Sequence, residues 1–258
     1  MFVLIKKILS KSIAAQLSMP FNFLMGIFTI LASNLIFFFG IYLLAFSGTR
    51  NDPSMMESYI LLTGIVTFSW GLVNFLGGGL SGLAYSIETG EIENYLAFPK
   101  NKILILALIK PDVFAVGDIL QGLLTLIFVL FYFPVKTSIL FLFALPIAIL
   151  GYVSLLLLIG GFSFFFKRGS VVSSVAMQIS SILAVFPSGH IFRGDFKVLK
   201  YISPALFAAH LPLDFVEMYS PIYGLVVYMF TVSFFFLSCF LFNRFSRQFN
   251  PTNLIQIK

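Results

Sequence analysis

The chain has 258 residues, of which 59% are apolar and only 10% are charged. A soluble domain carries about 25% charged residues, so this composition excludes a water-soluble globular protein and indicates an integral membrane protein. The net charge of +6 does not indicate nucleic-acid binding, because the basic residues lie at the ends of apolar segments and form no patch. The single cysteine, Cys239, excludes an intrachain disulfide.

The first twenty residues predict an amphipathic helix that lies in the membrane interface. Apolar residues recur at helical spacing, whereas Lys7 and Lys11 share another face of the helix. The alternative is that this segment simply extends the first membrane span.

Six membrane-spanning helices are predicted after this segment, each of roughly 20 apolar residues. Their ranges are 21–46, 58–76, 113–133, 138–166, 171–186 and 221–242. The fifth is the shortest, and the alternative that it does not cross the bilayer fully stays open. The fold class is therefore all-α integral membrane, in a single domain over residues 1–258.

Glycine and proline mark the predicted helix ends. Gly77, Gly78 and Gly79 end the second span and predict either a hinge or a close contact with another backbone. A helix start is predicted at Lys110-Pro111-Asp112, and Ser170 is predicted to cap the fifth span after a basic turn at Lys167-Arg168-Gly169.

The polar segment at residues 80–102 separates the second and third spans. Ile92, Tyr95 and Leu96 lie at the i, i+3 and i+4 positions of a short amphipathic helix, which Pro99 ends. The segment also carries three carboxylates, Glu88, Glu91 and Glu93. Such a helix suits the groove of a soluble partner, where the carboxylates would set the register. The alternative is a solvated loop with no partner.

Asp118 lies inside the third span, beside Gly117. An ionisable residue within a span is by default a candidate functional residue. The alternative is an interfacial carboxylate that caps a helix or pairs with a neighbouring lysine.

The segment at residues 187–219 mixes charged, aromatic and apolar side chains. It predicts one or two short amphipathic helices on the outer membrane surface, interrupted at Pro204 and Pro212. Two histidines and two aspartates of this segment are expected in solvated loops, although they could also hold a metal or serve an intramembrane enzyme: His190, Asp195, His210 and Asp214. The chain has no G-x-x-x-x-G-K-[ST] motif, so ATP binding by a P-loop is not expected.

The distribution of basic residues predicts the orientation in the membrane. With both termini in the cytosol, only five of the sixteen Lys and Arg residues lie outside, namely Arg50, Lys136, Arg193, Lys197 and Lys200. Because cytosolic segments carry an excess of Lys and Arg, this bias supports six spans and a cytosolic 80–102 segment.

The motifs of the chain, taken in order, resemble those of one known family. Gly78-Gly79-Leu80-Ser81, then Gly90-Glu91-Ile92-Glu93-Asn94-Tyr95-Leu96 and Pro99, resemble the G-G-L-S … G-E-L-D-x-x-L-x-x-P signature of bacterial ABC type-2 permease subunits, in the uncharacterised, viologen-exporter-like branch. Gly117-Asp118 with Gly122-Leu123-Leu124 resembles the start of that family's third span, and Ile202-Ser203-Pro204-Ala205 through Leu211-Pro212 resembles its I-x-P … L-P element. Ile92-Glu93 departs from the usual Leu-Asp, and Lys197 and Lys200 make the outer segment unusually basic.

This resemblance implies six spans, an interfacial N-terminal helix, a cytosolic coupling helix and short outer helices before the last span. It implies the permease subunit of an ATP-binding-cassette exporter in the bacterial cytoplasmic membrane, which is not itself an enzyme and whose substrate is unknown. ATP and magnesium are expected on a separate ATPase subunit, with no cofactor in this chain. A second permease, identical or related, is the other expected partner besides membrane lipid.

The resemblance assigns ATPase coupling to the 80–102 segment, through Glu88, Glu91, Ile92, Glu93, Tyr95, Leu96 and Pro99. A translocation pathway is expected at the interface with the second permease, lined by polar residues of spans one, two and five: Asn34, Asn74 and Ser181. The alternative is a stand-alone membrane protein, either a secondary carrier that uses Asp118 or an intramembrane enzyme that uses His190 or His210.

Overall fold

The computed structural model describes residues 10, 11, 14, 18–46, 53–93, 102–108, 110–166, 168–186, 201, 203–218 and 220–248. Every element of secondary structure in these ranges is a helix, which confirms the all-α fold class. Most of the predicted interfacial helix lies outside the described residues, as do Tyr95, Leu96, Pro99, His190 and Asp195.

Proline begins four of the helices in the described ranges. In chain order the helices are α1 (Pro20–Phe46), α2 (Pro53–Ser81), α3 (Leu83–Glu88), α4 (Lys102–Leu108), α5 (Val116–Tyr132), α6 (Val135–Phe162), α7 (Gly169–Val185), α8 (Pro204–Met218) and α9 (Pro221–Gln248). Proline suits a first helical position because its φ is already helical and because the N–H it lacks would have no partner there.

Helices α1, α2, α5, α6 and α9 are each long and apolar enough to span a membrane. Within a bilayer a helix pairs its own backbone groups, so apolar sequences of this length fold as helices there. Helix α7 is apolar but has only 17 residues, which confirms that the fifth predicted span is short. Its complete crossing stays a prediction.

The core is formed by α2, α6 and α8. Helix α6 packs against α2, α8 and α9, and α2 packs along α5. Helix α1 is different, because it packs chiefly on α5 and on the 3-10 turn Val113–Ala115 that precedes it. Only 6% of the α1 span is buried, against 61% for α2.

The prediction of surface helices interrupted at Pro204 and Pro212 is wrong for α8. Pro204 begins this helix and Pro212 lies within it. Residues 205–216 are all buried, between α6, α7 and α9. The helix enters the core because Gly151 of α6 lets it come close: a Cβ there would lie 2.8 Å from the Cα of Ala208.

The three glycines at the end of α2 form both a bend and a close contact. Gly77 leaves the helical conformation, with φ −125° and ψ 26°. A Cβ on Gly78 would collide with the carbonyl oxygen of Lys110, and one on Gly79 with that of Leu106. Because glycine has no side chain, the chain that follows the 80–102 segment can lie directly against α2.

Candidate functional site

The described part of the 80–102 segment begins with the short helix α3 and turns at Gly90. Gly90 has a φ of +77°, a left-handed conformation that glycine adopts without steric cost. Glu88 is the last residue of α3, and Glu91, Ile92 and Glu93 follow the turn.

Glu88 joins this segment to the beginning of α7. Its carboxylate accepts a hydrogen bond from the backbone N–H of Ser170 at 3.1 Å and a second from the Ser170 hydroxyl. The first N–H groups of a helix have no partner within the helix and favour negative charge nearby. Glu88 supplies both a hydrogen-bond acceptor and a negative charge, from a position 82 residues away in the chain.

The prediction that Ser170 caps α7 is therefore wrong. The helix begins at Gly169, with Arg168 at the capping position and no side-chain cap. Ser170 lies inside the first turn and donates to Glu88 instead of accepting from the helix. By contrast, the predicted start at Asp112 is confirmed, because the Asp112 carboxylate accepts from the N–H of Phe114 at 3.0 Å.

Glu91 joins the same segment to the chain that leads into α5. Its carboxylate forms an ion pair with Lys110 at 2.5 Å, and both side chains are partly exposed. Glu93 is exposed. Ile92 is fully buried within this chain, so in this structure its side chain packs inward and is not part of an exposed face.

Two of the three predicted pathway residues lie in one cavity. The cavity has a volume of about 100 Å³ and lies between α1, α2, α5, α6 and α7. Asn34 and Ser181 both line it, together with Asp118. Asn74 does not. It is buried, its side-chain amide donates to the backbone carbonyl of Trp70 at 3.0 Å, and its backbone carbonyl accepts from the N–H of Asp112 at 3.2 Å.

A direct hydrogen bond joins Asn34 of α1 to Asp118 of α5. The amide nitrogen of Asn34 lies 2.5 Å from a carboxylate oxygen of Asp118. Asp118 is in the first turn of α5. Its hydrogen-bond partner is an amide rather than a lysine.

Two glycines allow this approach. A Cβ on Gly117 would lie 3.0 Å from the Cβ of Ile30, which is one helical turn before Asn34 on the same face of α1. A Cβ on Gly71 of α2 would lie 2.7 Å from the Cβ of Asp118. The Gly117-Asp118 pair thus places a carboxylate where three helices meet.

The remaining polar walls of the cavity come from Thr67, Tyr152, Ser180 and Ser181. The hydroxyl of Thr67 donates to the carbonyl of Thr63 at 2.7 Å, and that of Ser181 to the carbonyl of Met177 at 2.9 Å. Tyr152 is only 2% exposed, and its hydroxyl has no hydrogen-bond partner among the described residues. Its ring packs edge-on against Trp70, with 5.5 Å between the centroids.

Sequence reasoning did not find Tyr152 or Trp70. A polar aromatic side chain in an apolar span was the available signal for both, but such residues also fit the membrane interface. Only the packing of α2 against α6 shows that these two side chains face the same cavity.

The expectation of a solvated loop is wrong for His210 and Asp214. Both lie on the buried helix α8, where His210 has no exposed surface. The Nε2 atom of His210 lies 3.3 Å from the carbonyl oxygen of Leu183 on α7. His210 therefore contributes to the contact between α7 and α8. No group of three or more His, Cys, Asp or Glu that could hold a metal occurs in the described ranges.

A sequence model of the family described as "ABC-2 family transporter protein" matches residues 28–252. The match covers most of the chain. The chain belongs to the ABC-2 transporter family. This membership and the spanning helices make it a multi-pass membrane permease of an ABC transporter. No curated protein and no solved structure matches the chain.

Proposed function

We propose that this ABC-2 permease works with a separate ATPase subunit and a second permease as an exporter in the bacterial cytoplasmic membrane, with both termini in the cytosol. ATP and magnesium bind to the ATPase subunit, and the permease itself catalyses no reaction. The 80–102 segment receives the motion of the ATPase on the cytosolic side.

The observation that carries this proposal is the pair of polar contacts made by the 80–102 segment. Glu88 holds the first turn of α7, and Glu91 holds Lys110, just before α5. Helix α7 supplies Ser180 and Ser181 to the cavity and α5 supplies Asp118. A displacement of this segment by a partner would therefore act on two walls of the same cavity.

The close contacts at the end of α2 favour a rigid connection. Gly78 and Gly79 bring the backbone of Leu106, Ala107 and Lys110 directly against α2, and packed backbones transmit displacement with little compression. Gly77 and Gly90 are the positions where the chain turns before and after α3. Helix α3 therefore lies between two glycine turns.

Substitutions in the 80–102 segment test the ATPase contact. We expect Tyr95→Ala and Glu91→Lys to lose co-purification of the ATPase while the permease still inserts in the membrane, because they remove an apolar anchor and reverse a charge. Tyr132→Ala is the matched control, since Tyr132 is 75% exposed at the opposite end of α5. Wild-type recovery of the ATPase with both variants would contradict the assignment of this segment.

A further inference from the structure

We propose that the cavity between Asn34, Asp118 and Tyr152 is a binding site for a small monovalent cation, either an alkali metal ion or ammonium. The site is a property of the permease chain alone. It holds whether or not an ATPase subunit binds, and it adds a ligand to the proposed transport function.

The charge of the cavity is the first argument. Asp118 has one hydrogen bond, to Asn34, and no ion pair with any described residue. An ionised side chain at membrane depth is almost always paired, so an ionised Asp118 calls for a cation.

Residues that line the cavity also carry side-chain oxygens besides the carboxylate. Asp118 can only accept hydrogen bonds when ionised, so the amide nitrogen of Asn34 must face it, which leaves the amide oxygen without a hydrogen bond among the described residues. Tyr152 adds a buried hydroxyl without a partner among the described residues. Buried tyrosine hydroxyls normally have a partner. The three oxygens are of the type that binds hard cations.

The size of the cavity and its single carboxylate define the class of cation. About 100 Å³ holds roughly three water molecules, and drug-sized ligands need roughly 300 Å³ or more. A single carboxylate gives the site one negative charge, which a monovalent ion neutralises. The aromatic rings of Phe37 and Trp70 also line the cavity, and aromatic faces attract cations.

The single tryptophan of the chain reports on this site, because Trp70 lines the cavity and packs against Tyr152. The purified full-length permease would be titrated with sodium, potassium and ammonium chloride at constant ionic strength, which N-methyl-glucamine chloride would maintain. We expect a saturable change of Trp70 emission with at least one small cation. The N-methyl-glucamine ion is too large for the cavity and should give none.

Three variants make the test specific. Asp118→Asn should abolish the saturable change, and Tyr152→Phe, which keeps the ring, should weaken binding roughly fivefold through the loss of one oxygen ligand. Glu57→Gln is the matched control, because it removes an exposed carboxylate outside the cavity and should bind as the wild type does. Melting temperatures of the same samples establish that each variant is folded.

The relative affinities for sodium, potassium and ammonium, measured by Trp70 emission, show whether the site prefers an alkali metal ion or ammonium. Equal, non-saturable responses to all four salts would overturn the proposal. So would wild-type titration curves in a folded Asp118→Asn or Tyr152→Phe variant. If Asp118→Asn does not fold, Tyr152→Phe alone decides, since it keeps the carboxylate and the packing of the ring.

Discussion

At the scale of single residues, glycines determine where the backbones of neighbouring segments come into contact. Gly79 lies against the carbonyl of Leu106, Gly78 against that of Lys110, and Gly117 against Ile30. Membrane helices pack closely where small residues let the backbones approach, because no hydrophobic driving force acts between helices within lipid. These glycines therefore determine the positions of the 80–102 segment and of α1.

We expect Gly79→Ala to destabilise the permease by about 1–3 kcal/mol, because the added Cβ has no space beside the Leu106 carbonyl. Gly40→Ala is the control, since a Cβ on Gly40 has no atom within 4 Å. Thermal unfolding in detergent, followed by circular dichroism, measures the difference. Equal melting temperatures for the two variants would contradict the close contact at Gly79.

At the scale of elements, the start of α7 depends on a side chain from a distant segment. The Glu88 carboxylate accepts from the backbone and from the side chain of Ser170. Removing a helix cap costs about 1 kcal/mol of stability. For Glu88 this loss would destabilise the first turn of α7. Helix α7 has only 17 residues, so its first turn is a large part of it.

Glu88→Ala should therefore increase hydrogen exchange at the first turn of α7 by roughly fivefold, which corresponds to about 1 kcal/mol. Mass spectrometry of peptides over residues 168–175 measures this. Glu93→Ala is the matched control, because Glu93 is an exposed carboxylate in the same segment. Unchanged exchange in Glu88→Ala would show that Glu88 does not stabilise α7.

Charge-reversal variants of Glu91 and Lys110 distinguish two roles of Glu91: an ion pair within the permease, or a direct contact with the ATPase. Lys110→Glu should weaken ATPase retention as Glu91→Lys does, if the ion pair holds the segment in its docking geometry. The double variant Glu91→Lys with Lys110→Glu should then restore retention. Because both side chains are partly exposed, the stability change should stay within about 1 kcal/mol. Failure of the double variant would place Glu91 in direct contact with the ATPase.

Local sequence signals predicted local features of this fold. The start at Asp112, the short α7 and the close contact at Gly78 and Gly79 all follow from residues that are neighbours in the chain. The cavity could not be predicted in this way, because Asn34 and Asp118 are 84 residues apart. Nor could the Glu88 contact with Ser170, which replaced the cap expected at Ser170 itself.

The error over α8 has a physical cause. Pro204, Pro212, His210 and Asp214 are individually typical of surface segments, and together they predicted one. The run 205–209 is apolar on all sides, however, and every residue of it is buried. Proline within a buried membrane-protein helix is tolerated because neighbouring helices satisfy the backbone groups that it frees.

At the scale of the whole molecule, α1 presents the least buried span. Several large apolar side chains of α1 point away from the chain, among them Phe21, Phe28 and Ile36, each at least 65% exposed. Such a surface faces either lipid or a second permease. Asn34 lies on the other side of the same helix, where it faces α5 and the cavity.

We expect a photo-crosslinking amino acid at Ile36 to form a product with a second membrane subunit. Leu225 is the matched control, because it is 67% exposed on α9, which packs on α6 and α8, and it should crosslink only to lipid. Gel mobility and mass spectrometry of the products identify the partner as a second copy or a related chain. Lipid adducts alone from both positions would place the permease interface elsewhere.

The most direct test is affinity purification of the chain from its native membrane in mild detergent, with mass spectrometry of what remains bound. We predict a P-loop ATPase and a second multi-pass permease, and loss of the ATPase with Tyr95→Ala. A chain that purifies without any ATPase would contradict the account. The next substitutions would then be Asp118→Asn, His190→Ala and His210→Ala, as tests of a carrier or an enzyme.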